Sequence, residues 1–188
     1  PFTYSKDGGT VFQANPLFNN LAPGTYMMAV KDGAGCVRTE SVVVNAPMSL
    51  VGTGSALDCY DDTDGSVSVS VSAGYPSYDV EWYLGPNPVG SGFSLSGLGG
   101  GTYKAVVTDQ EGCVKSATVL VTEPPKMNVK LTRTNITCFG ADNGSIANLT
   151  TGGVGNYTFL WEGVNSGFTS TQQSLLNLGP EEHIALVT

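Results

Sequence analysis

The 188-residue sequence repeats itself, and the period constrains the fold more than any other feature. Leu21-Ala-Pro-Gly-Thr-Tyr26 returns as Leu98-Gly-Gly-Gly-Thr-Tyr103, an offset of 77. Val30-Lys-Asp32 and Gly35-Cys36 return as Val107-Thr-Asp109 and Gly112-Cys113 at the same offset. Cys59 with Asp64-Gly-Ser66 returns as Cys138 with Asn143-Gly-Ser145, and Tyr78 to Trp82 returns as Tyr157 to Trp161, both at 79. Phe2-Thr-Tyr-Ser-Lys6 is a weaker copy of that last element, with Lys6 where the tryptophan stands. One unit therefore spans about 77–80 residues.

Proline marks the boundaries. Ala46-Pro47 and Glu123-Pro124-Pro125 end two units, because proline stops a strand and stiffens the joint after it. The expected organisation is the back part of repeat one in 1–47, a complete repeat two in 48–125, and the front part of repeat three in 126–188. On this reading the natural chain is expected to continue in both directions.

Within repeat two the hydrophobic period is two rather than 3.6. Ser66-Val-Ser-Val-Ser-Val-Ser72 alternates strictly, and Ala117, Val119 and Val121 alternate with Thr118, Leu120 and Thr122. Turn signals separate the runs, among them Asp64-Gly65, Ala73-Gly74-Tyr75-Pro76 and Glu111-Gly112. Six or seven short strands in one period predict an all-β fold of tandem immunoglobulin-like β-sandwich repeats. Leu-x-x-Gly-Thr-Tyr fits a tyrosine corner, and Trp82 and Trp161 are the expected core anchors. Repeat three departs from the pattern, with Asn148 at the Val69 position and Glu181-Glu182-His183 in place of Gly-Thr-Tyr.

Composition narrows the function. Eight basic against sixteen acidic residues give a net charge of −8, which disfavours both nucleic-acid binding and attachment to anionic lipid. No apolar run approaches the roughly 18 residues that span a membrane. A single histidine, His183, removes most zinc and triad chemistry, and the four cysteines form no CxxC pair.

The order Cys…Asp-Gly-Ser-Val-x-Val-x-Val, then Gly-x-Pro-x-Tyr-x-Val-x-Trp, then Leu-x-x-Gly-Thr-Tyr-x-x-x-Val-x-Asp-x-x-Gly-Cys, closing in Glu-Pro-Pro, resembles the SprB-type repeat. Such repeats occur in very large surface adhesins of gliding Bacteroidetes. The resemblance implies export by the type IX secretion system and display on the exterior of the outer membrane. It further implies a structural and adhesive role in surface attachment and gliding motility. The partners it implies are the secretion and gliding machinery and, as candidate ligands, surface polysaccharides. The alternative is a set of spacer modules in a secreted enzyme or carbohydrate-binding protein. Neither a catalytic site nor a cofactor is expected in these residues.

Four side-chain groups are candidates for chemistry. Asp58, Asp61, Asp62 and Asp64 suggest calcium, but an EF-hand register would put Tyr60 at position one and Val71 at position twelve, so solvated turn carboxylates are expected and no metal. Tyr60, Tyr75, Tyr83 and Phe93 could stack on sugars but are expected to seal the sandwich ends. Sequons at Asn135, Asn143, Asn148 and Asn156 are expected to be coincidental in a bacterial chain. For a surface protein in an oxidising compartment the cysteines are expected to pair, as Cys59–Cys113 within repeat two. The rival is Cys36–Cys59 with Cys113–Cys138, which would staple neighbouring repeats.

Overall fold

The computed structural model describes residues 1–188, and it contains strands and turns but no helix. The strands fall into three sets. The first comprises β1 (Thr3–Ser5), β2 (Gly24–Lys31) and β3 (Val37–Val44). The middle comprises β4 (Ser49–Gly54), β5 (Gly65–Ser72), β6 (Tyr78–Leu84), β7 (Asn87–Ser91), β8 (Ser94–Leu98), β9 (Gly101–Asp109) and β10 (Val114–Val121). The third comprises β11 (Asn128–Thr134), β12 (Gly144–Thr151), β13 (Phe159–Gly163), β14 (Thr169–Ser170), β15 (Leu175–Leu178) and β16 (His183–Val187).

One topology runs through all three. The middle set forms sheets of order β4-β5-β8 and β10-β9-β6-β7, and the third forms β11-β12-β15 and β14-β13-β16. The first set forms β1-β2-β3, which corresponds to β6-β9-β10. The chain thus crosses between a three-stranded and a four-stranded sheet in the middle set and between two three-stranded sheets in the third, the connectivity of an immunoglobulin-like sandwich. The fold is all-β and immunoglobulin-like, as the alternation and turn spacing predict.

By Cα packing the chain divides into two compact units, and the division cuts through the middle set. The first unit holds Pro1–Thr53, Val67–Leu95 and Thr102–Val119. Its core follows directly from the alternation: Val67 and Val69 of β5 are buried, while Ser70 is exposed. Val80 and Trp82 of β6, Tyr103, Ala105 and Val107 of β9, and Val119 of β10 complete the core. Trp82 is wholly buried, and its indole N–H donates to the Gly92 carbonyl at 2.8 Å, so the largest core side chain leaves no polar group unpaired.

The first set also belongs to this unit, and it packs differently where Lys6 replaces the tryptophan. There β1 ends after three residues, and Ser5, fully buried, donates its hydroxyl to Asp7 at 2.5 Å. The Asp7 carboxylate also accepts the amides of Thr10 and Val11. The Ser5 hydroxyl first, then these amides, hold the Asp7 carboxyl below its ordinary value. The tyrosine corner forms as expected: Tyr26 donates its hydroxyl to the Ala22 carbonyl at 2.9 Å.

The second unit holds Gly54–Ser66, Ser96–Gly101 and Leu120–Thr188. Trp161, Leu175 and Leu178 form its core, with Ile146, Phe159, Phe168 and Ala185 packed against them. Trp161 repeats the anchor of Trp82, its indole N–H donating to the Gln172 carbonyl at 2.8 Å. Glu181-Glu182-His183 leads into β16, so the residues that depart from the repeat pattern still build the same strand.

Candidate functional site: loops and linker joints

The hairpin motif Asp-x-x-Gly-Cys has a geometric cause. Asp109 ends β9 with its side chain buried, and its carboxylate accepts the amides of Cys113 at 2.9 Å, Glu111 at 3.1 Å and Tyr75 at 3.2 Å. Asp32 does the same one period earlier, accepting from Ala34 at 2.9 Å and Cys36 at 2.8 Å. The glycine before each cysteine takes a left-handed conformation, φ +90° at Gly35 and +80° at Gly112, which a side chain would strain. Burial alone would raise the Asp109 carboxyl. The amides of Cys113, Tyr75 and Glu111, with the Cys113 thiol, outweigh burial and hold it below the ordinary value of 3.8.

The acidic loop before β5 is braced internally. The Asp64 carboxylate accepts the Asp58 amide at 3.2 Å, and Asp62 accepts the Thr63 amide at 2.8 Å. One period on, Asn143 accepts the Thr137 amide at 3.1 Å and donates to the Thr137 hydroxyl at 2.8 Å. An asparagine does the work of Asp64, so the position requires a turn-bracing oxygen rather than a charge. No three His, Cys, Asp or Glu side chains converge as a metal site. The Asp61 backbone amide donates to the Glu123 carboxylate at 2.5 Å.

All four cysteines are free, exposed thiols, and neither expected pairing forms. Cys36 and Cys113 each close a hairpin held by Asp32 and Asp109, and Cys59 and Cys138 lie in the loops that precede β5 and β12.

Of the four aromatics, Tyr60, Tyr75 and Phe93 are exposed and Tyr83 is half-buried; the Lys126 ammonium lies 5.6 Å from the Tyr60 ring centroid, and the Tyr83 hydroxyl donates to Glu81 at 2.7 Å. Of the sequon asparagines, Asn148 is buried within β12 and closed to modification in the folded state; Asn135, Asn143 and Asn156 are exposed. His183 packs edge-on against Phe168, with centroids 5.2 Å apart.

The most regular construction lies in the two proline-marked linkers, together with the Ala73-Gly74 turn and its counterpart Gly152-Gly153. In the first unit the amide of Gly74 donates to the carbonyl of Ala46 at 2.9 Å, and Lys115 donates to the carbonyl of Met48 at 2.8 Å. In the second unit the amide of Gly153 donates to the carbonyl of Pro125 at 2.6 Å. Gly74 and Gly153, like Ala46 and Pro125, are 79 residues apart, so each linker is pinned by the same backbone bond to the turn that follows the second strand of the next set. Both glycines have positive φ, +78° and +65°. The second linker has further ties, with Glu123 holding the Asp61 amide and Lys126 covering Tyr60. The periodic recurrence of Ala73-Gly74 as Gly152-Gly153 was the available signal.

The family model for the SprB repeat matches the chain twice. Among solved structures, the three N-terminal domains of the bacteriophage RB49 highly immunogenic outer capsid protein (Hoc) are similar, with TM-score 0.51 and 15% identity over 98% of this chain and 74% of that one. The N-terminal four Ig domains of Dscam1 isoform 9.44 align at TM-score 0.36 and 16% identity over 87% of this chain, which spans 50% of that structure. Murine CEACAM1b aligns at TM-score 0.29 and 14% identity, over 74% of this chain and 92% of that one. No curated protein matches the chain. The two matches to the SprB repeat model span residues 56–87 and 131–166.

Proposed function

We propose that the chain is a stretch of a large secreted cell-surface adhesin in which immunoglobulin-like repeats act as structural and adhesive modules, with repeats bounded at 1–47, 48–125 and 126–188. The observation that carries this reading is the repeated linker pin, Gly74 to Ala46 and Gly153 to Pro125. Proline restricts each linker, and the pin removes much of the freedom that remains. Such joints transmit load from one module to the next, which an attachment protein requires and an independent binding domain does not. Weak contacts summed over many modules then give avidity without any strong single site.

The SprB repeat supports the finer parts of the proposal: export by the type IX system, display on the outer-membrane exterior, and a part in gliding. Antibodies raised against the 188-residue chain test display. Intact cells should label as strongly as permeabilised ones, and labelling only after permeabilisation would overturn the localisation. In-frame deletion of the coding segment should reduce attachment of cells to surfaces and their gliding speed. Undiminished attachment and gliding, with a catalytic or carbohydrate-binding domain encoded alongside, would assign the chain to spacer modules instead.

A further inference from the structure

Both cysteines of the middle repeat lie at joints, one at each linker. At the first linker, Cys113 shares a cavity of about 350 Å3 with Ala46, Pro47, Gly74 and Tyr75. Its hairpin is tied down there. Lys115 donates to the Met48 carbonyl at 2.8 Å, and the Asp109 carboxylate that accepts the Cys113 amide also accepts the Tyr75 amide at 3.2 Å. At the second linker, Asp58, the neighbour of Cys59, shares a cavity of about 470 Å3 with Pro124, Gly153 and Val154. The Cys59 loop is tied to that linker on both sides of the cysteine: Leu57 donates its amide to the Thr122 carbonyl at 2.8 Å, and Asp61 donates its amide to Glu123 at 2.5 Å.

Gly74-Tyr75 and Gly153-Val154 are one turn, 79 residues apart, and the same backbone bond pins each to its linker. The repeat after a joint therefore brings its Gly-Cys hairpin to this turn. The repeat before a joint brings its Cys59 loop to the same turn. Both placements are made by the complete middle repeat, so each half of the joint is seen with its own strands in place. Both thiols are exposed, and neither is sealed inside its own repeat.

We infer that where one complete repeat follows another, Cys59 of the first and Cys113 of the second form a disulfide across the joint. Each repeat then gives one cysteine to the joint before it and one to the joint after it. Every joint closes with one S–S bond, and no cysteine is left over. The oxidant is a disulfide-bearing thiol carrier of the secretory compartment. One cysteine thiolate attacks it and releases its first thiol, and the second thiolate attacks the mixed disulfide and releases the other. Two protons and two electrons leave the cysteines, and the carrier ends as a dithiol. The inference rests on the tandem-repeat reading above and adds a covalent staple to the backbone pin.

The test duplicates residues 47–125 in tandem within the full chain, so that one joint lies between two complete repeats and six cysteines are present. In a glutathione buffer containing the oxidised form, this protein should become lighter by two hydrogens and keep four titratable thiols. Non-reducing peptide mapping should join Cys59 of the first copy to Cys113 of the second. Reduction should lower its melting temperature by several degrees. Cys59→Ser in the first copy should abolish both effects, and the 188-residue chain in the same buffer should keep all four thiols. A bridge between Cys59 and Cys113 of one copy, a mixture of pairings, or six free thiols would each overturn the inference. Hydrogen exchange separates its failure from that of the tandem reading. Six free thiols with a protected Gly74 amide in the second copy would remove the disulfide alone, whereas an unprotected amide would overturn the joint as well.

Discussion

The middle and third sets share a topology and a tryptophan anchor but differ in what lines their second strand. In the middle set β5 presents Val67 and Val69, 1% and 4% exposed. In the third set β12 presents Asn148 at the position of Val69 and Thr150 at that of Val71, 6% and 9% exposed. The Thr150 hydroxyl donates to the Asn148 side-chain oxygen at 2.9 Å, but the Asn148 side-chain nitrogen is buried without a partner. The fold therefore survives a polar pair in its core when the pair is largely self-satisfied. Strand order and the buried indole specify the sandwich, and the remaining core positions tune how stable it is.

The largest effect sharpens the shared feature. Trp82→Ala and Trp161→Ala should each cost about 3–5 kcal/mol in urea unfolding of their own sets, because each removes the largest buried side chain and strands a carbonyl acceptor. Equal losses would support one anchor used twice. A Trp161→Ala loss below about 1 kcal/mol would separate the two sets.

The second test exploits the joints. Ala73 carries a side chain at φ +58°, but its counterpart Gly152, at φ +80°, cannot, since a Cβ there would lie 2.1 Å from the Lys126 carbonyl oxygen. Ala73→Gly should change stability by about 1 kcal/mol or less. Gly152→Ala should instead displace the linker, seen as faster hydrogen exchange at the Gly153 amide.

Third, Asn148→Val with Thr150→Val should make the third set resemble the middle one and gain about 1–2 kcal/mol, because both partners of a buried bond are removed with the orphaned donor. Val69→Asn should destabilise the middle set by a similar amount or more. A loss in the double variant would mean that the polar pair is required there.

The fourth effect is a pH dependence. The Asp109 carboxyl is held below 3.8 in the folded state, so its stabilising contribution is complete above that value and is lost as pH falls through the folded-state value. The Cys113 and Glu111 amides should then exchange faster as the solution is acidified below pH 3.8. Asp109→Asn should flatten that response. The smallest effect concerns the thiols. A native-state alkylating reagent should modify Cys36, Cys59, Cys113 and Cys138, and reductant should leave the melting temperature unchanged.

Much of this was legible in the sequence because it rests on local rules. The valine–serine alternation of 66–72 carries the face of β5, and the Gly-Cys hairpins carry their own left-handed glycines. Trp82 and Trp161 were recognisable as anchors because bulky residues recurred at one offset. The sequence left two cysteine pairings open because spacing alone does not say which loops adjoin, and all four cysteines are free thiols here. The proline joints were legible but the pin across each was not, because the bond from Gly153 to Pro125 uses only backbone atoms, and the acceptor in the other linker is an alanine. The acidic loop offered calcium only by its carboxylate count, and Asn143 bracing the same turn as Asp64 shows what the position requires.

That backbone pin bears on how such a protein changes length over generations. Nothing in the bond depends on the acceptor's side chain; it requires only a carbonyl in the linker and a glycine 28 residues later, Ala46 to Gly74 or Pro125 to Gly153. Unequal recombination that removes one whole 79-residue period, fusing Ala46 to Lys126, would leave the Ala46 carbonyl at the same spacing from Gly153. The gene can therefore gain or lose modules without redesigning a joint, and the reach of the protein becomes a quantity that copy number sets.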